Sequence, residues 1–384
     1  MDRGLMTLTR PINVPDSILT EPVTSKQSQG FVAELFDAIT PRTVLLVFGV
    51  LLIQLAFVLS YVGAFHHPTP HGVPVAVVAP AQISGHVVTE FSGIHGQPLS
   101  ATAVPSKAAG LALLRDGSTS GVFIVDPIGK SDSLLIASGG GAAVSTALED
   151  VFTQVEATQH RTMTVTDAVP AQPGDGRGLS GFYLVVGWLV GGYLVAALLG
   201  IAKGARPATT RRAIHRLMAV VPYAILSGLG GALIVGPVLG ALTGHFAAIW
   251  CVGALLVFCA AAVTMAFQVL FGVLGIGLTL ILFVVLGNPS AGGAYQASLL
   301  PPFWRAIGNS IPNGAGVEAI RRIAYFGSYD VVGNLFVIVI YAVTGMAIAI
   351  TGASVLARRA AAGRSDVSAV ITVPPTLAAY ETLE

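Results

Sequence analysis

Six stretches of the chain run apolar for about twenty residues each, at 43–62, 182–201, 217–242, 246–268, 269–287 and 331–355, and none contains Asp, Glu, Lys or Arg. A helix needs about 20 such residues to cross the hydrocarbon core. The pattern therefore predicts an α-helical polytopic membrane protein with six transmembrane helices. The fourth and fifth stretches are nearly continuous, and the division between them falls at Gln268 and Gly272 because the joint run is too long for one tilted helix. Between the first two spans, residues 64–181 follow another pattern, with short apolar strands at 73–78, 100–104, 121–125, 134–137 and 163–166. These alternate with helical stretches at 83–91, 106–114 and 142–159, the last placing Val144, Leu148, Val151, Phe152 and Val155 on one face. Strands alternating with helices predict a small α/β (α+β) sheet domain inserted between the two spans, standing on the membrane like a cap.

Before the first span, Phe31, Leu35 and Ile39 recur at helical spacing beside Glu34 and Asp37. This predicts an amphipathic helix near 31–39 lying along the inner membrane surface, within an N-terminal arm of residues 1–42. The arm is too long for a secretory n-region, so the first span reads as an uncleaved signal anchor. Residues preceding that helix and following Arg364 read as flexible tails.

Lysine and arginine set the orientation, because short basic loops stay in the cytoplasm. Lys203, Arg206, Arg211, Arg212 and Arg216 crowd the loop between the second and third spans, Arg42 opens the first, and Arg358, Arg359 and Arg364 follow the sixth. All three clusters put the N-terminus and the 358–384 tail in the cytoplasm, with 64–181 and 288–330 outside.

Composition narrows the classes further. The chain is 54% hydrophobic and only 10% charged, with a net charge of +1, whereas soluble domains carry charge on about a quarter of their residues. An ordinary cytosolic enzyme and a disordered chain are excluded, and so is a nucleic-acid partner, for which the charge supplies no basic field. Arginine makes up 16 of the 20 basic residues in an Ala-, Gly- and Val-rich sequence, a bias associated with GC-rich bacterial genomes and hence with a bacterial cytoplasmic membrane. Cys251 and Cys259 lie about 12 Å apart along one helix axis, too far to bridge, and read as packing residues.

Candidate chemistry is sparse. Gly129, Lys130 and Ser131 end like a phosphate-binding loop, but Ile124 stands where its first glycine belongs, and a solvated turn is the simpler reading. With no nucleotide loop elsewhere, and no catalytic triad, HExxH or paired intramembrane carboxylates, the chain reads as neither an enzyme nor a holder of its own cofactor. His66, His67 and His71 offer imidazoles for a metal or simply form an interfacial loop. Gln54 and Gln268, the amides inside apolar spans, are candidates for helix glue or for a translocation path. Gly187 with Gly191, and Gly236 with Gly240, have the spacing of close helix contacts, and Pro237 should kink the third span. The loop RPATTRRAIHRLM turns helical after Thr209 or Thr210, as a topology signal, a docking helix, or both.

Residues 287–327, GNPSAGGAYQASLLPPFWRAIGNSIPNGAGVEAIRRIAYFG, are too apolar for an open loop and too broken for a span. Pro301 and Pro302 start one short helix, which includes Trp304 and ends near Ile311; Pro312, Asn313 and Gly314 then break the chain before a second at 317–326. In the second, Glu318 is three and four residues from Arg321 and Arg322, a spacing that allows ion pairs. The two predict a re-entrant hairpin over 301–326, tolerated only where protein or a wet cavity satisfies the broken backbone.

This segment resembles the signature of ABC-2-type transport permeases, particularly the branch similar to phage infection protein, in which one helix, a large outer domain and five helices follow in the same order. The likeness extends over about 31–357. It implies the ABC-2 six-helix unit, paired as a homodimer or with a second permease, and a separate cytoplasmic ATPase subunit that binds the ATP. It also implies outward transport of a lipid, drug or polymer. The 31–39 helix would then match the family's connecting helix. Arg211, Arg212 and Arg216 would fall in its ATPase-contacting element and 301–326 in its hairpin. The alternative is a non-transporting anchor, scaffold or receptor acting through the outer domain.

Overall fold

The computed structural model describes residues 40–370, so the expected amphipathic helix at 31–39 lies outside the described residues. The described residues divide into two compact units with the boundary after Leu51, inside the first helix, α1 (Pro41–Phe65). Proline at the first helical position suits an N-terminus, where its missing N–H is not needed. The Thr40 hydroxyl accepts the Thr43 amide at 3.2 Å.

The sheet lies wholly in the second unit. It comprises β1 (Val73–Val78), β2 (Leu99–Ala103), β3 (Gly121–Ile124), β4 (Ser131–Ile136) and β5 (Thr162–Asp167), in the order β2-β1-β3-β4-β5. Helices α2 (Ala81–Ser92), α3 (Lys107–Arg115) and α4 (Ala142–Thr158) connect them. β1 pairs in parallel with β2 and β3, β4 with β5, and only β3–β4 is antiparallel, with Phe123 opposite Leu134. A short turn joins that pair, as antiparallel geometry permits, whereas each parallel pairing is reached through a helix.

Side chains alternate across the sheet, so each face has its own core. Val75, Val77, Phe123 and Leu134 meet Phe91 of α2 and Leu148 and Phe152 of α4, with Phe123 and Phe152 stacked at 4.5 Å. Ala76, Val122 and Leu135 meet Leu114 of α3 on the other side. Each core also takes a residue from far along the chain: Leu299 joins the first and Phe326 the second. The sheet is thus a member of the same compact unit as the helices that follow it, not a separate body.

The described residues contain five helices long and apolar enough to cross a membrane, consistent with a polytopic membrane protein. They are α1, α5 (Ser180–Lys203), α6 (Thr210–Leu233, extended by a π-turn at Ile234–Val238), α7 (Phe246–Phe271) and α11 (Val331–Val370). The stretch expected as a fifth span, 269–287, is divided differently. α7 continues to Phe271 and stops at Gly272, whose positive φ of 65° favours glycine. α8 (Leu274–Leu280) then continues through a π-turn at Ile281–Gly287 to Ser290, a shorter apolar segment. α11 likewise runs past the expected end of span six at 355, through Arg358 and Arg359 into stretches expected as tail; the alanines at 360–362 favour helix.

α7 is the hub, the most buried of the five long helices, packed against α5, α6 and α11. Each of those helices brings a glycine to the crossing. Gly192 faces the Val257 carbonyl, Gly228 the Ala254 amide and Gly345 the Ala262 backbone, so closely that a Cβ would collide. Of the pairs singled out by spacing, Gly191 does face Tyr223 and Ser227 of α6 and Gly236 the Leu242 carbonyl, whereas Gly187 faces open space and Gly240 lies in the turn after α6 with φ 63°. Pro237 falls within the π-turn that ends α6 instead of kinking a continuing span.

Candidate functional site

The broken segment after α8 forms two helices, α9 (Pro302–Gly308) and α10 (Pro312–Tyr325). Pro301 precedes α9 as its N-cap and Pro302 takes its first position; Trp304 is half-buried, its ring edge-on to Phe303. The second helix begins five residues earlier than expected. Pro312 starts it, and Asn313 and Gly314 lie inside it. The reason is packing: Gly314 is against the Gly308 carbonyl and Gly316 is wedged between Leu256 and Val185, so the PNGAG sequence provides a slim first turn where no larger side chain fits.

Asn313, expected only as part of a chain break, is 1% exposed. Its amide nitrogen donates to the Phe283 carbonyl and to Asn288 Oδ1, each at 2.8 Å, while its Oδ1 has no hydrogen-bond partner among the described residues. Phe283 lies in the π-turn of α8, whose altered hydrogen-bond ladder gives the asparagine a carbonyl to hold.

In the middle of α10, Glu318 accepts Arg321 Nη1 at 2.7 Å and Arg322 Nε at 2.8 Å. Each arginine also donates to a backbone carbonyl, Arg321 to Gly292 and Arg322 to Tyr329. Burial pushes the Glu318 carboxyl up, but the two guanidiniums outweigh it and hold it below the usual range. These three residues, with Gln296, Asn309 and Asp330, line a cavity of about 460 Å³ at the seam between the hairpin and the sheet.

A clasp closes the same seam. The Tyr325 hydroxyl donates to Asp175 Oδ2 at 2.5 Å, and Asp175 Oδ1 accepts the Ser180 amide at the start of α5. Burial, together with that bond to Asp175, pushes the tyrosine hydroxyl well above its ordinary range. The Tyr325 ring lies against Gly139 and Phe326 against Gly117 and Gly140. Gln172 binds Thr243 through both its amide hydrogen and its hydroxyl, at 2.8 Å each, joining the end of the sheet domain to the α6–α7 turn. Apart from Asp175 and Ser180, these partners are far from one another in sequence, so no local pattern announces them.

The basic loop lies at the opposite ends of α5 and α6. Thr209 caps α6 by accepting the Arg212 amide at 3.2 Å. Arg216 is turned back onto the end of α5, donating to the carbonyls of Lys203 at 3.1 Å and Gly204 at 2.8 Å, while Arg206 holds Leu270. Arg211 and Arg212 are exposed. The three arginines thus divide into one that closes a helix end and two that face outward.

The two intramembrane amides also part. Gln268, 1% exposed, donates to the Ala196 carbonyl of α5 at 3.2 Å with Gly200 against its amide, whereas Gln54 is exposed on α1. Nearer the start of α5, Trp188 fits between Gly231 and Gly253 and donates to the Ser227 carbonyl. It lines an almost wholly apolar groove of about 570 Å³ between α5 and α6, with Tyr183, Leu184, Ile234 and Val235. His66 bonds the Val62 carbonyl and His71 the Thr69 carbonyl. Among the described residues no cluster of His, Cys, Asp or Glu has the geometry to hold a metal.

No protein-family model, curated protein or solved structure matches the chain.

Proposed function

We propose that the chain is the transmembrane permease subunit of an ABC-type exporter in a bacterial cytoplasmic membrane, moving a hydrophobic or amphipathic substrate such as a lipid, drug or polymer outward. In this reading both termini are cytoplasmic, the sheet domain is outside, the chain pairs with a second permease unit, and a separate ATPase supplies the energy. The observation that carries it is the hairpin: two short helices whose broken backbone and charged side chains are satisfied within the protein, at the junction of helices and sheet. Such a structure at membrane depth is costly without a function to retain it. The apolar groove between α5 and α6 supports the same reading, since it suits a substrate that arrives from lipid.

A scaffold or receptor acting through the sheet domain is the second reading, and it is favoured by a cavity of about 590 Å³ lying between α2 and α4. One experiment separates the two. The tagged protein is purified in mild detergent from its own cells and its stoichiometric companions are identified by mass spectrometry. An ATPase with an intact phosphate-binding loop is expected; a reproducible envelope protein without any ATPase overturns the permease reading in favour of the scaffold.

A further inference from the structure

We propose that the sheet domain binds a protonated amine with an apolar body, in the cavity between α2 and the β3–β4 turn where Glu156, Asp126 and Glu90 surround an apolar wall that includes Phe91 and Phe123. The cavity measures about 460 Å³. This inference is independent of the permease and scaffold readings.

Four carboxylates line the cavity, Glu90, Asp126, Asp132 and Glu156, against one cation, Arg161. That cation is already committed. Its Nε and Nη2 hold the two oxygens of Asp132 at 2.8 and 2.6 Å, Nη2 also donates to the Asp126 carbonyl, and Nη1 to that of Gly129. Asp132 and Arg161 therefore cancel as a bidentate pair. Glu90 and Asp126 are left with no ion pair among the described residues, and Glu156 has only the edge of Arg161, at 3.9 Å.

Glu156 is the most informative of the three. It is 3% exposed, and its Oε2 has no hydrogen-bond partner among the described residues; Arg161 Nε stands 3.9 Å away. A carboxylate buried without a donor is costly, so the unliganded site keeps a proton there. Burial first, and then the charge of Asp132 and a hydrogen bond to it, push the Glu156 carboxyl up to about 7 against the opposing pull of Arg161. Asp126 is held the other way: the Gly129 and Ile128 amides lower its carboxyl below the usual range and keep it ionised at the mouth. Glu90 accepts Gln159 Nε2 at 3.2 Å.

A ligand ammonium seated among these groups supplies the donor that Glu156 lacks and releases its proton. Ile83, Val87 and Val125 complete the apolar wall that receives the rest of the ligand. Anions are repelled by the ionised Asp126 at the mouth, and neutral molecules of the same shape gain only the apolar contact.

The test uses the full-length protein in a neutral maltoside detergent, with 2-phenylethylamine as probe and 2-phenylethanol as its uncharged counterpart, read by titration calorimetry. The amine is expected to bind at least about ten-fold tighter than the alcohol, because it makes charge-assisted hydrogen bonds that the alcohol does not. Glu156→Gln and Asp126→Asn should each remove most of that preference while leaving the alcohol unchanged. Asp126→Asn keeps an oxygen for the Ile128 and Gly129 amides, so it carries the test if Glu156→Gln fails to fold. Equal affinity for amine and alcohol in the native protein, or an undiminished preference in folded Asp126→Asn, overturns the proposal.

Discussion

Glu318 shows how much of the hairpin hangs on one carboxylate. It answers two guanidiniums, each of which otherwise has only a backbone carbonyl. Glu318→Gln keeps the shape and removes the charge, and should lower stability by about 1.5–3 kcal/mol, the range for hydrogen bonds to charged groups, measured as a shift in the denaturation midpoint of the detergent-solubilised protein. Glu156 gives a prediction in pH. Its folded value of about 7 lies above its ordinary 4.5, so between those values the folded chain holds a proton that the unfolded chain has lost. Stability from this group is complete below about 4.5, falls as pH rises toward 7, and stays reduced above it. Thermal melts between pH 5 and 8 should show that decline, and Glu156→Gln should flatten it.

At the scale of elements, the sheet was the most legible part. Each strand falls within three residues of its expected place, because short runs of apolar and β-branched residues are separated by clear helical periods. What fills the two faces was not legible. Phe326 and Leu299 lie well over a hundred residues from the strands they cover, and in sequence they read as hairpin and loop. The same holds for the hub: with 45 glycines in the chain, spacing alone could not single out Gly192, Gly228 and Gly345, since what distinguishes them is a facing backbone. Nor could it separate Arg216, which closes α5, from its exposed neighbours. A consequence for packing follows from Phe326. Truncating it to alanine should cost about 3–5 kcal/mol, as for a buried aromatic, and hydrogen exchange should rise in β1, β3 and β4 together with α10. Faster exchange in α10 alone would show that the two do not share a core.

For the whole molecule, the ends of the helices differ in task. On the proposed reading, changing Arg211 and Arg212 to Glu should abolish stimulation of the partner ATPase while leaving the melting temperature within a degree or so, since exposed substitutions usually shift stability by less than about 0.5 kcal/mol. Arg216→Ala should instead lower the melting temperature, because the last carbonyls of α5 lose their donor. Unchanged stimulation in the Arg211/Arg212 variant would remove the loop from the partner interface. The long reach of Phe326 and Leu299 also bears on the order in which the chain is made. The five strands leave the ribosome first, by residue 167, but the side chains that complete their two faces come out only after α8 and α10 have been synthesised. Until then the nascent sheet exposes apolar surface on both sides, open to proteases and chaperones. Closure of the sheet thus reports that the later helices have arrived, and a chain truncated before residue 299 should be degraded quickly even though every strand is present.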